Sequence, residues 1–159
     1  MQRAAFSFAL PAVLTAFLAA VCLFLAQKGY PFGAVGLRRL DGVASAASFI
    51  PLAAIYFLSA ALMMLLPLRA AAFVLTHAAE VVFWTVLLLL GALVGVIAAR
   101  LAWGQNGALS SLLDWRFLYA AAVIAGHFAL NGLRKNVLMR SLFFAAFVAA
   151  AGFCLFWSR

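Results

Sequence analysis

The chain predicts an all-α fold: a polytopic transmembrane helix bundle of about five spanning helices with short connections and termini on opposite sides. Three observations carry this. Hydrophobic residues make up 70% of the 159 residues and charged residues 9%, whereas soluble domains are roughly 45–50% apolar and about 25% charged. The mean hydropathy of +1.21 comes from five long apolar runs rather than from one. None of these runs alternates with a period of two, which excludes the short alternating strands of a membrane barrel.

The spans fall at about 4–26, 43–66, 70–99, 112–133 and 137–157, each long enough to cross about 30 Å of hydrocarbon at about 1.5 Å per residue. Together they fill a single transmembrane domain, 1–159, with no room for a separate soluble one. The first is expected to stay in the mature protein, since no small-residue cleavage site is followed by a polar region. Pro11 lies within it, as a kink or in its first turns. The connection 27–42 carries Gly29, Pro31, Gly33, Gly36 and Gly42, and is expected to be irregular and to lie among the headgroups. Pro67 ends the second span. Trp103 to Ser110 forms a second loop, and Ser111 with Asp114 has the spacing of a capping box for the fourth span. The connections 67–69 and 134–136 are so short that spans two and three, and spans four and five, must be tight antiparallel pairs. No internal repeat is present.

The formal charge of +8 is scattered in ones to threes between apolar runs, as suits loops that meet anionic headgroups rather than nucleic acid. Arg3, Arg69, Arg134, Lys135 and Arg140 fall on the N-terminal face. Lys28, Arg38, Arg39, Arg100, Arg116 and Arg159 fall on the other. This near balance leaves the positive-inside rule undecided. The aromatic residues Tyr30, Trp103, Trp115 and Trp157 cluster at the second face. The expected setting is the cytoplasmic (inner) membrane of a bacterium, with the N-terminus cytoplasmic. Arg38 and Arg39 are candidate contacts for lipid headgroups.

Ionisable residues inside a bilayer are costly and mark partners, cavities or ligands. His77 and Glu80 lie in span three, and His127 in span four, where Asn131 adds a strong hydrogen-bonding amide. Both histidines sit roughly 10–12 Å below the N-terminal face. His77, Glu80, Trp84, Leu88, Gly91 and Gly95 share one helical stripe; His127 and Asn131 share another. If these stripes face each other, His77, Glu80, His127 and Asn131 form one proton, ion or ligand site. The alternative is packing alone, through the Gly91-x-x-x-Gly95 pair and interhelical hydrogen bonds. Cys22 and Cys154 lack any metal or redox spacing and are expected as packing residues. The hydroxyls of spans one and two are expected to bond their own backbone. Phe143, Phe144, Phe147, Phe153, Phe156 and Trp157 give span five an outward, lipid-facing or subunit-facing character, and Ala145, Ala149 and Gly152 suit a close helix neighbour.

The function these features suit is a non-enzymatic transporter or channel component, or an accessory subunit of a larger membrane complex, with the lipid bilayer and other subunits or its own copies as partners. A redox anchor is the second expectation. In it, His77 and His127 ligate a b-type haem or border a quinone, with Gly91, Gly95, Ala120 and Gly126 leaving room. No paired carboxylates and no GxSxG or HExxH motif support an intramembrane enzyme. A set of His77, Glu80 and His127 has acceptable metal-ligand types, at spacing that carries little weight. An odd number of spans requires that reporter fusions at the two termini report opposite sides of the membrane; both on one side would require an even number.

Overall fold

A computed structural model describes residues 2–43, 45–65, 69–114, 117–133 and 136–156, of which 46, 69–72 and 131–133 are described by their backbone alone. The helices are α1 (Gln2–Gln27), α2 (Pro31–Val43), α3 (Ala46–Leu65), α4 (Arg69–Ala102), α5 (Phe117–Leu133) and α6 (Val137–Phe156), with a 3₁₀ helix at Asn106–Leu113. No strand occurs among the described residues. Among the described residues four helical stretches are long and apolar enough to cross a membrane, namely Gln2–Gln27, Pro31–Leu65 (α2 with α3), Phe73–Ala102 and Val137–Phe156, and a fifth span results if the 3₁₀ helix and α5 are taken as one bent element. The protein is an all-α integral membrane bundle. The tight connections expected at 67–69 and 134–136, and the aromatic residues Trp115 and Trp157, lie wholly or largely outside the described residues.

Contacts group the chain into two compact units. The first comprises Met1–Ser48 and Leu87–Phe117. In it α1 ends at Gly29, whose φ of 82° is open to glycine at no steric cost. Gly29 N donates to Ala26 O at 3.0 Å and Tyr30 N to Leu25 O at 3.0 Å, the double bond of a Schellman cap. Gly104, at φ 76°, closes α4 in the same way through Leu101 O and Arg100 O.

Directly after the first cap the chain is helical, not irregular as expected: Pro31 opens α2, where its missing N–H costs nothing. The glycines serve packing. A Cβ on Gly33 would lie 2.4 Å from Ala26 N, and one on Gly36 would lie 2.6 Å from the Cys22 sulfur, so only glycine lets α2 fold back against α1. Cys22 is thus a packing residue. Helix α1 continues through Pro11 and meets α4 at equally close range. A Cβ on Gly91 would lie 2.4 Å from Phe8 O, and one on Gly95 would lie 2.1 Å from Thr15 Oγ1 and 2.2 Å from Ala12 O. Thr15 fills that contact by donating its hydroxyl toward Pro11 O at 2.7 Å and Ala92 O at 3.0 Å. Ala19, Leu23, Val96 and Ala99 complete the apolar seam. At one end of the unit Arg100 Nη2 pairs with Asp41 Oδ2 at 2.5 Å. Both groups are partly exposed, which limits the pair to on the order of 1 kcal/mol or less.

The capping expectation at Ser111 is corrected. Ser111 lies inside the 3₁₀ helix, Asp114 has extended backbone at φ −63° and ψ 121°, and the α-helix starts at Phe117, not near 112.

The second unit comprises Phe49–Val86 and Leu118–Arg159. Phe49, Tyr56, Met63, Met64, Val86, Val123 and Cys154 are its largest fully buried side chains. Phe57 of α3 stacks on Phe147 of α6 with ring centroids 6.0 Å apart, so Phe147 faces inward while Phe153 and Phe156 stay exposed. Tyr119 of α5 engages Cys154 of α6 through a hydrogen bond. Thr76 on α4 donates to the Met63 sulfur of α3 at 3.4 Å. Asn136 caps α6, its Oδ1 accepting from Leu138 N at 3.1 Å. Ser59, Thr85 and Ser141 each bond the carbonyl one turn back, as expected of hydroxyls in lipid.

The α1–α4 seam generates a test. Gly95→Ala should destabilise the protein by about 1–3 kcal/mol in reversible detergent unfolding, because backbone rather than a flexible tip blocks the methyl group. Gly107→Ala, with nothing within 4 Å, should change stability by about 0.5 kcal/mol or less.

Candidate functional site

At about 100° per residue, the α4 stripe from His77 through Trp84 and Leu88 to Gly91 and Gly95 is real, and its two halves differ. At Gly91 and Gly95 it is covered by α1. At Phe73, Val74, His77, Val81 and Leu88 it is exposed. The stripe therefore does not face span four, as the sequence suggested. What meets α5 is the flank of α4 that carries Phe83, about 120° around the axis from His77.

His127 lies on that flank. Its ring stacks on Phe83 with centroids 4.0 Å apart and planes 10° from parallel. Tyr56 lies 6.3 Å away, and Phe128 forms an edge contact. Gly126 permits this approach, since a Cβ there would sit 3.4 Å from the Tyr56 ring. Two polar atoms are enclosed in this aromatic setting without a hydrogen-bond partner among the described residues, His127 Nδ1 and Tyr56 Oη. Tyr56 is fully buried. Sequence reasoning grouped Tyr56 with the packing hydroxyls of span two. A tyrosine in place of phenylalanine inside an apolar helix was the signal available, since burying its hydroxyl has a cost.

Glu80 lies between the two flanks, exposed, and acts electrostatically on His127. His77 is exposed, with Nδ1 3.0 Å from Phe73 O one turn back and its ring 4.3 Å from the Phe73 ring. No hydrogen bond or ring contact joins His77 to His127. Glu80 and His127 are thus linked through space alone, with no hydrogen bond or ion pair between them, while His77 turns outward beside Glu80. The side chain of Asn131 lies outside the described residues. Among the described residues no group of three His, Cys, Asp or Glu is placed to hold a metal ion.

The room expected for a haem is taken up. Gly91 and Gly95 are filled by α1, Gly126 by Tyr56 and Phe147, and Ala120 is fully buried. Arg38 and Arg39 are exposed on α2. Sequence analysis missed a half-open cavity of about 270 Å³ in the first unit, lined by the Asp41–Arg100 pair, Ser45, Ser111 and Asp114 over an apolar floor. Its polar residues come from α2, the connection after it, α4 and the 3₁₀ segment with its C-cap, and no local spacing links them.

Comparison with protein families, characterised proteins and solved structures finds no match to this chain.

Because the Tyr56 hydroxyl has no partner to lose among the described residues, Tyr56→Phe should be neutral or stabilising by up to about 1 kcal/mol. His127→Ala, which deletes the ring stacked on Phe83, should cost about 1–3 kcal/mol. Thermal unfolding in one detergent checks both; a Tyr56→Phe cost equal to that of His127→Ala would contradict this account of the pocket.

Proposed function

We propose that this protein is a non-enzymatic subunit of a larger assembly in a bacterial cytoplasmic membrane, and that the outer face of α4 meets another membrane helix. The observation behind this is the exposure of Glu80 and His77 in a membrane-spanning helix. Hydrocarbon solvates neither a carboxylate nor an imidazolium, so side chains of this kind face a protein partner or an aqueous path. Phe73, Val74, Val81 and Leu88 surround them on the same face and supply apolar contact area.

In such an assembly Glu80 is the polar group that handles the proton or cation, with His77 at the contact and His127 behind it as its partners. The arrangement suits transfer of a proton or a small cation along the contact, which is the transport role in this proposal. On α6, Ala145 and Ala149 are exposed and Gly152 has open space, offering a second close-approach face. Arg38 and Arg39 serve as headgroup anchors on α2.

A photo-crosslinking amino acid at Val81, 65% exposed, should yield a protein adduct in native membranes. The same group at Phe17 of α1, 67% exposed, should yield lipid adducts alone. Lipid adducts alone at Val81 would overturn the proposal. In proteoliposomes containing the isolated assembly, Glu80→Gln should abolish proton-coupled flux while leaving the assembly intact. Undiminished flux would separate the transport role from the subunit role and remove the former.

A further inference from the structure

A second cleft of about 270 Å³ lies at the start of α6, lined by Met64, Leu65, Val137, Arg140, Ser141 and Phe144. Arg140 is unusual in its placement. It sits in the first turns of α6, where the helix dipole is positive and a cation is disfavoured. Its Nε donates to Met64 O at 2.6 Å, in the last turn of α3, where free carbonyls and a negative dipole end welcome it. That bond fixes the guanidinium but does not neutralise it. The chain has three acids, Asp41, Glu80 and Asp114, and none of them lines the cleft. The ion pair among the described residues is Asp41–Arg100. The remaining guanidinium nitrogens have no hydrogen-bond partner among the described residues.

The rest of the lining indicates what balances the charge. The Ser141 hydroxyl is spent on Val137 O at 3.2 Å, which leaves Arg140 as the polar group of the cleft, and Met64, Leu65, Val137 and Phe144 form apolar walls. Leu65 is 52% and Val137 78% exposed, so the apolar walls continue onto the outer surface of the two helices. A fixed cation beside an open hydrocarbon wall matches a phosphodiester with an attached acyl chain. The volume is several times the roughly 30 Å³ of a water molecule in the liquid. By sequence, the same end of the spans carries Arg3, Arg69, Arg134 and Lys135 and no acid, so anions there must come from outside the chain.

We propose that this cleft binds the phosphate of an anionic phospholipid, held by Arg140, with its acyl chain along Leu65, Val137 and Phe144. The site is independent of the α4 face and of the assembly it serves. The test is native mass spectrometry of the purified protein with phosphatidylglycerol, phosphatidylcholine and inorganic phosphate as probes. Phosphatidylglycerol should be retained in preference to phosphatidylcholine, and excess inorganic phosphate should not displace it. Arg140→Gln should weaken phosphatidylglycerol binding by about tenfold or more, in line with loss of one charge-assisted contact.

Arg140 also caps α3, so a second variant leaves it in place. Val137→Trp fills the cleft and should weaken binding to the same degree without altering helix content. Equal retention of the two lipids, displacement by inorganic phosphate, or unchanged binding in the folded variants would each overturn the assignment.

Discussion

The backbone-to-backbone approach of α1 to α4 is the constraint on which the first unit depends. At Gly91 and Gly95 the two helices come so close that any Cβ would overlap main-chain atoms of Phe8 or Ala12. In a bilayer there is little hydrophobic drive to bring helices together, so dispersion contacts and interhelical hydrogen bonds must do it, and both grow steeply at short range. Thr15 makes use of this proximity by reaching Ala92 O while bonded to its own helix. The same principle repeats at Gly33 and Gly36, which let α2 return along α1. With both neighbours seated, Asp41 and Arg100 meet at one end of the seam.

The second unit is held by different means. Its helices touch through large side chains: Phe57 on Phe147, Phe83 on His127, and Tyr119 with Cys154 and Phe153. Arg140 ties the start of α6 to the end of α3. Most hydroxyls satisfy themselves on their own backbone and need no neighbour. His77 also reaches a carbonyl of its own helix, but it and Glu80 are exposed on a spanning helix while the His127 ring is packed between helices against Phe83. A carboxylate at the edge of an exposed apolar face is suited to a contact with another chain, and the proposed role follows from that placement.

Spanning helices were legible in the sequence because length and hydropathy alone define them: the bounds of α1, α4 and α6 lie within a few residues of those expected. Less visible were features that depend on what lies across from a residue. The glycines of 27–42 suggested an irregular loop, yet Gly33 and Gly36 are spaced one turn apart and pack on α1. Ser111 and Asp114 have capping spacing but fall in a 3₁₀ segment, since a two-residue signal cannot distinguish an N-cap from a turn. The shared depth of His77 and His127 was correct arithmetic along each axis. It could not reveal rotation about the axis, which places Phe83 rather than His77 against His127. Tyr56, Arg140 and the Asp41–Arg100 pair depend on contacts between distant segments and left little local trace.

The central claim is that the face of α4 carrying His77 and Glu80 is covered by another protein in the membrane. The most direct measurement is the mass of the particle extracted in native-lipid nanodiscs, without prior exposure to detergent. The account predicts a particle containing more protein than one 17.0 kDa chain, reduced to a single chain when Val81 and Leu88 are both replaced by lysine. A particle with one chain and lipid alone in the unaltered protein would contradict it.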